Sequence, residues 1–274
     1  MSFLQAVVLG VVQGLTEFLP VSSSAHLVLV PWWLGWSFPP EAAFAFDVLV
    51  QLGTLVAVIV FFARDLGQLI GAAAVGLWHR RPLGTPQARR AWHLLLATLP
   101  AVVAGLLLKK VVETAFSSPT ATSAFLLVTA AALALAERAA RAERNLDAMG
   151  WSDAWWIGVA QALALFPGIS RSGATMAAGR ARGFLRSEAA RFSFLMSVPV
   201  MLGAGLLAAR DLFDLPRVGD FALPLAAGFV AAAVVGYLAI RWMLAFVARH
   251  PLTAFSAYCL VLGLAGLTTA FLRG

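Results

Sequence analysis

PGISRSGAT, residues 167–175, is the stretch from which the fold can be read. It sets Arg171 among hydroxyls and glycines in a chain of 274 residues that is 61% hydrophobic and only 12% charged, with mean hydropathy +0.86. That composition defines a polytopic helical membrane protein and excludes an ordinary soluble enzyme. An ionisable side chain at membrane depth is costly and marks a functional site. The helical run at 154–166 ahead of it covers about 20 Å, short of a hydrocarbon core roughly 30 Å thick. The chain is therefore expected to dip in, turn at Pro167-Gly168 and leave again, because irregular backbone at that depth needs a protein or wet lining. Arg171 then points at something anionic.

A second copy lies near the N-terminus, where residues 10–25 read GVVQGLTEFLPVSSSA. At an offset of 148, Gly10, Gln13, Leu15, Phe18, Ser22 and Ser24 meet Gly158, Gln161, Leu163, Phe166, Ser170 and Ser172, while Pro20 and Pro167 match at 147. The pattern persists downstream, with Phe44-x-Phe46 echoed by Phe192-x-Phe194. Matched Gln, Pro and Ser positions indicate an internal duplication whose two polar hairpins meet.

Between and beyond the hairpins the apolar stretches 44–63, 91–108, 120–138, 188–209, 221–246 and 251–272 supply six transmembrane helices. The segment 66–78 is amphipathic but too rich in Gly and Gln to count as a crossing. Residues 1–150 and 151–274 then form two repeats, each a re-entrant hairpin plus three spans. Three crossings per repeat is odd, so the second repeat is inverted relative to the first, an arrangement that places sites at the repeat interface near the midplane. Fourteen arginines, including Arg141, fall on the side carrying 64–90, 138–152 and 241–250, against Lys109, Lys110, Arg210, Arg217 and Arg273 on the other. The first side is therefore read as cytoplasmic, and the first hairpin opens outward. The net charge of +7 belongs to this asymmetry and to lipid headgroups, not to nucleic acid. The single cysteine, Cys259, excludes an internal disulfide and a cysteine metal cluster.

In the first hairpin, Gln13 and Glu17 are four apart on one helix face. Glu17 stands beside Ser22, Ser23, Ser24 and His26. One carboxylate with a neighbouring amide suffices for Mg²⁺, with Ca²⁺ as an alternative, when water and a substrate diphosphate complete the shell. The three-residue spacing from Ser23 to His26 lets imidazole take the hydroxyl proton within one turn, making Ser23 a candidate nucleophile and His26 a candidate base. In the second hairpin a helix beginning after Ser172 turns its first N–H groups toward an anion, with Arg171, Ser170, Ser172 and Thr175 around it. Helix capping is the competing role for the serines.

GLTEFLPVSSSAH (14–26) and PGISRSGAT (167–175) closely resemble the two signature regions of the undecaprenyl-diphosphate phosphatase family, the bacterial bacitracin-resistance proteins. The resemblance extends over essentially the whole chain and includes FDVLVQLGTLVAV (46–58). It implies removal of the terminal phosphate from a C55 polyprenyl diphosphate, giving the lipid phosphate that carries cell-wall precursors. It also implies a multi-pass protein of the bacterial inner membrane, working as a homodimer with its active site toward the periplasm. By position, Gln13 and Glu17 correspond to the metal-associated acidic motif, Ser23 and His26 to the nucleophile or base, and Ser170, Arg171 and Thr175 to the phosphate-binding motif. The acidic motif carries Glu or Gln at its first place and Glu at its last, here Gln13 and Glu17, which does not fit a mechanism needing two carboxylates. Inverted repeats are also transporter architecture, so a lipid-phosphate flippase or secondary transporter is the alternative. Such a protein would need Arg171 but no nucleophile.

Overall fold

A computed structural model of the chain describes residues 1–139, 144–213 and 221–273, so Arg141 and Arg217 of the charge count lie outside the described residues. The first half comprises α1 (Phe3–Phe18), α2 (Ser23–Leu34), α3 (Pro40–Phe61), α4 (Ala63–Trp78), α5 (Pro86–Phe116) and α6 (Pro119–Ala139). The second comprises α7 (Trp151–Leu163), α8 (Arg171–Ala181), α9 (Arg186–Phe213), α10 (Ala222–Val247) and α11 (Thr253–Arg273). Among the described residues, six helices are long and apolar enough to cross a membrane, and they coincide with the six expected stretches.

Boundaries differ from expectation where a cap, and not hydropathy, sets the helix end. α5 begins at Pro86 because the Thr85 hydroxyl accepts from the Ala88 N–H at 3.1 Å and proline suits the first helical position. Its first turns carry Arg89 and Arg90, so the helix starts in polar sequence that an apolar window discards. α8 starts at Arg171 itself, with Ser170 as its N-cap, one turn's edge earlier than the expected start after Ser172. α4 is a separate, mostly exposed helix with Leu69 buried, consistent with its reading as a non-crossing segment.

The short helices are held between long ones. α1 packs along α10 and α7 along α5, while α3 meets α9 and α6 meets α11. Lipid tails are as apolar as leucine side chains, so association rests on close van der Waals fit, which small residues permit. Gly10 and Gly158, which match at the offset of 148, bring α1 against α10 and α7 against α5. A Cβ on Gly10 would stand 2.4 Å from the Gly228 carbonyl oxygen, and one on Gly158 would stand 2.5 Å from that of Ala97. Beside the first turn, Phe18 is fully buried and meets Phe194 edge-on at 5.4 Å. Such an aromatic pair contributes about 0.5–1.5 kcal/mol beyond its contact area, and it fixes the end of α1 immediately next to Glu17.

The arginines at the base of the second hairpin are locked by carboxylates. Asp153 accepts from Arg144 at 2.7 Å, Arg182 at 2.7 Å and the Gly150 N–H at 3.0 Å. Burial alone would raise the Asp153 carboxyl, but these donors, Arg144 foremost, outweigh it and hold the group below the usual carboxylate range. Glu137 binds Arg186 at 2.5 Å and Arg180 at 3.4 Å, and Arg191 pairs with Asp65.

Gly158→Val is expected to destabilise the solubilised protein by about 1–3 kcal/mol through overpacking. Gly67→Ala, where an added Cβ meets nothing within 4 Å, is expected to be neutral or stabilising by roughly 0.5–1 kcal/mol. Thermal unfolding of the two variants checks this, and equal melting temperatures would contradict a close α5–α7 contact.

Candidate active site

Each hairpin turn restarts its second helix from a serine N-cap. α1 ends at Phe18, the chain turns through Leu19 to Val21, and α2 restarts at Ser23 with Ser22 as N-cap. Ser22 adopts φ 67°, ψ 95°, outside the ordinary regions for an L-residue. Its hydroxyl is 3.4 Å from the Ala25 N–H and 3.1 Å from the Ser24 hydroxyl. In the second turn Gly168 takes φ +102°, and a Cβ there would lie 2.2 Å from the Thr122 carbonyl oxygen, so the position requires glycine. The Ser170 hydroxyl accepts from the Gly173 N–H at 3.0 Å and lies 3.2 Å from the Ser172 hydroxyl. The capping role weighed for the serines is thus occupied by Ser22 and Ser170.

Ser23 and Arg171, the position at which the two copies differ chemically, converge on one carboxylate. Ser23 Oγ donates to Glu17 Oε2 at 2.6 Å, and Gln13 Nε2 donates to the same oxygen at 2.9 Å. Arg171 Nη2 donates to Glu17 Oε1 at 2.7 Å across 154 residues of sequence. The Glu17 and Arg171 side chains are only 10% and 14% exposed. Arg171 Nη1 is buried with no hydrogen-bond partner, as is Gln13 Oε1. A cavity of about 260 Å³ opens onto the group, reached by Ser22, Ser23, Ser24, Ser170, Glu17 and Arg171.

Several residues are oriented differently from the sequence expectation. His26 does not contact Ser23: its Nδ1 is 2.7 Å from the Ser22 carbonyl oxygen and its Nε2 is 2.8 Å from the Tyr258 hydroxyl. A spacing of three residues in a helix start puts Ser23 on the Glu17 side and His26 on the α11 side, which spacing alone does not distinguish. The Ser172 hydroxyl donates to the Leu19 carbonyl at 2.9 Å and ties the two turns together. Thr175 is buried, 2.7 Å from the Ser193 hydroxyl and 2.8 Å from the Arg171 carbonyl, so it braces the start of α8. Neither Ser172 nor Thr175 lines the cavity.

The sequence reading missed other participants. Gln51 of α3 and Gln161 of α7 line the same cavity, and Gln161 Oε1 is buried without a partner, as in its repeat equivalent Gln13. Gln161 was legible as a repeat match, and Gln51 as a polar residue inside an apolar span. Thr129 of α6 receives the Ser170 N–H at 3.0 Å and donates to the Gly168 carbonyl at 2.9 Å. No local pattern announced Thr129 or Tyr258.

A polytopic membrane protein whose two polar turns meet at a buried carboxylate–guanidinium pair, with a hydroxyl on the carboxylate, has a site built for an anion. A family model described as bacitracin resistance protein BacA matches residues 6–265. Proteins named undecaprenyl-diphosphatase are similar over nearly the full length. That of Rubrobacter xylanophilus is 48% identical over 258 residues, 94% of each chain. That of Desulforudis audaxviator is 44% identical over 270 residues, 98% of each. That of Pelotomaculum thermopropionicum is 42% identical over 273 residues, covering 100% of this chain and 98% of its own. The chain belongs to the BacA bacitracin-resistance family.

Ser170→Ala removes the α8 cap and is expected to cost about 1 kcal/mol of stability. Ser24→Ala, which caps nothing, is expected to leave the melting temperature unchanged. A larger loss from Ser24→Ala than from Ser170→Ala would contradict the assignment of the cap.

Proposed function

We propose that this chain hydrolyses undecaprenyl diphosphate to undecaprenyl phosphate and inorganic phosphate, regenerating the lipid carrier of cell-wall precursors and thereby conferring bacitracin resistance. The observation that carries this reading is Ser23 held 2.6 Å from Glu17, whose other oxygen is paired with Arg171, at the mouth of a cavity with both polar and apolar walls. A flippase or transporter has no use for a hydroxyl set on a carboxylate, so the hydrolase reading is favoured over the transport alternative.

In this scheme the terminal phosphate enters beside Arg171, where the unpartnered Nη1 donates to a phosphate oxygen and Nη2 is already ordered by Glu17. Ser23 Oγ gives its proton to Glu17 Oε2 and attacks the terminal phosphorus. The bond to the bridging oxygen breaks and undecaprenyl phosphate leaves. Water then displaces the phosphate from Ser23, returning the hydroxyl. Arg171 meets the charge that develops on the transferred group, and its rigid fork suits two oxygens better than a lysine would. Direct attack by water, with Ser23 positioning the phosphate, is the second scheme.

The donor set suits a hard divalent cation, Mg²⁺ or Ca²⁺. Gln13 Oε1 is a buried oxygen without a partner, one helical turn from the Glu17 carboxylate. No cluster of three or more His, Cys, Asp or Glu side chains occurs among the described residues, so water and the diphosphate would complete the shell. Bound there, the ion would neutralise charge on the diphosphate. Support for a lipid substrate is the apolar wall of the cavity, which includes Ala101, Leu165, Val200 and Met201. An apolar groove of about 360 Å³ between α6, α7 and α8 borders the same Ile169.

The re-entrant and inverted organisation is part of this proposal. It is supported by the crosswise packing of α1 on α10 and α7 on α5, and by lengths of about 24 Å and 20 Å for α1 and α7, each less than a full crossing. The charge asymmetry supports placement in the bacterial inner membrane with the first hairpin open to the periplasm. Pairing into a homodimer rests on the family resemblance alone.

Purified protein is expected to release phosphate from undecaprenyl diphosphate, to lose this with chelator and to regain it with Mg²⁺ or Ca²⁺. Glu17→Gln is expected to abolish turnover, and Arg171→Lys to lose about 10²–10³-fold, the usual loss for one transition-state donor. Ser23→Ala should lose nearly all turnover if Ser23 is the nucleophile, whereas a measurable residue of activity selects the water scheme. Absence of phosphate release by the folded wild type would exclude the hydrolase. For topology, a cysteine at Ser37 is expected to react with an impermeant reagent from outside and one at Thr85 is not; the reverse would overturn the orientation.

A further inference from the structure

We infer that Tyr258, on the last helix, is a positioning residue for the reaction: its hydroxyl fixes the ring of His26, which in turn pins the strained turn that presents Ser23 to Glu17. This rests on the assignment of Glu17, Ser23 and Arg171 as the reacting centre. A carbonyl oxygen only accepts, so the 2.7 Å contact between His26 Nδ1 and the Ser22 carbonyl places the ring proton on Nδ1. In the neutral ring Nε2 then has only a lone pair, and the Tyr258 hydroxyl at 2.8 Å donates to it. The rings lie parallel, 6° apart, with centroids 5.7 Å from each other. Both ring nitrogens are thereby occupied, and neither reaches Ser23, which bonds Glu17 instead.

What the imidazole holds is the Ser22 carbonyl, and Ser22 sits at φ 67° immediately before Ser23. A non-glycine residue there is strained and persists only when its surroundings over-determine it. The surroundings are the His26 contact, the Ser22 hydroxyl near the Ala25 N–H, and α11. The latter touches the same turn at the next residue, where Cys259 Sγ is 3.6 Å from the Pro20 carbonyl oxygen. α11 is also tied to α2 further along, by Trp33 to Thr269 at 3.3 Å and Arg273 to the Trp32 carbonyl at 2.8 Å. The second turn receives the corresponding support from Thr129 of α6, which binds its backbone directly. The first turn has an imidazole and a phenol interposed, and only their hydroxyl-to-ring bond couples α11 to the Ser22 carbonyl.

Tyr258→Phe keeps the ring and deletes that bond. The expected result is a loss in kcat of up to about 100-fold, as for small misplacement of a reacting group, with KM within twofold and the melting temperature unchanged. In a His26→Asn background, Tyr258→Phe should remove nothing further. Histidine ¹⁵N spectra of the full-length protein in detergent, with the His26 signal assigned by its loss in His26→Asn, should show one Nδ1–H tautomer in wild type and tautomer averaging in Tyr258→Phe. Wild-type kcat in Tyr258→Phe, an additive loss in the His26→Asn background, or a tautomer signal unmoved by the substitution would each overturn the inference. If Tyr258→Phe yields too little folded protein for kinetics, the wild-type spectrum still decides, since an Nε2–H tautomer excludes the arrangement. Wild-type turnover in both Ser23→Ala and Arg171→Lys would instead defeat the site assignment while leaving the tautomer result intact.

Discussion

The ion pair between Glu17 and Arg171 is the contact on which the rest of the structure depends. Two charges nearly withdrawn from solvent are tolerable only together, and removing one partner of such a pair typically costs about 3–5 kcal/mol. The partners come from turns 154 residues apart, so both short hairpins must bring their turns to the same point. Packing of each hairpin on a helix of the other half does this, and a direct bond from Ser172 to the Leu19 carbonyl joins the turns beside the pair. The same pair orders the guanidinium before any anion arrives, leaving one of its nitrogens without a partner.

The two turns match in sequence at an offset of 148, and each restarts its helix from a capping serine, yet they carry different chemistry. Ser22 and Ser170 cap, and Ser24 and Ser172 each lie within hydrogen-bond distance of the capping hydroxyl. Between them the chain places a hydroxyl in one copy and a guanidinium in the other. Divergence at one position of a repeated turn thus yields a group that can give up a proton and a group that can hold an anion, facing a shared carboxylate. The outer arginines of the second hairpin serve the frame, with Asp153 and Glu137 holding the backbone entry to α7 and α9 in register.

Much of this was legible in the amino-acid sequence, for identifiable reasons. Six spans follow from apolar length, and the meeting of the two turns was legible in their matched Gln, Pro and Ser positions, whereas the direct pairing of Arg171 with Glu17 was not. Gln13, Ser23 and Glu17 lie within one short stretch, so their association is nearly local. What remained hidden depends on rotation about helix axes. Whether His26 faces Ser23 or α11, and whether Thr175 faces an anion or Ser193, is decided by a few tens of degrees, and linear spacing is the same in either case. Tyr258 is separated by 232 residues from its partner and sits in a helix whose composition is ordinary for a span. Helix starts were displaced wherever a hydroxyl cap extended the helix into polar residues, as at Thr85 and Ser170.

The glycine contacts at Gly10 and Gly158 act as fixed stops. Backbone rests on backbone there, without a compressible side chain between, so neither hairpin can sink or rise without moving a whole transmembrane helix. The two turns are therefore positioned by main-chain contacts, which repacking of side chains around them cannot relax.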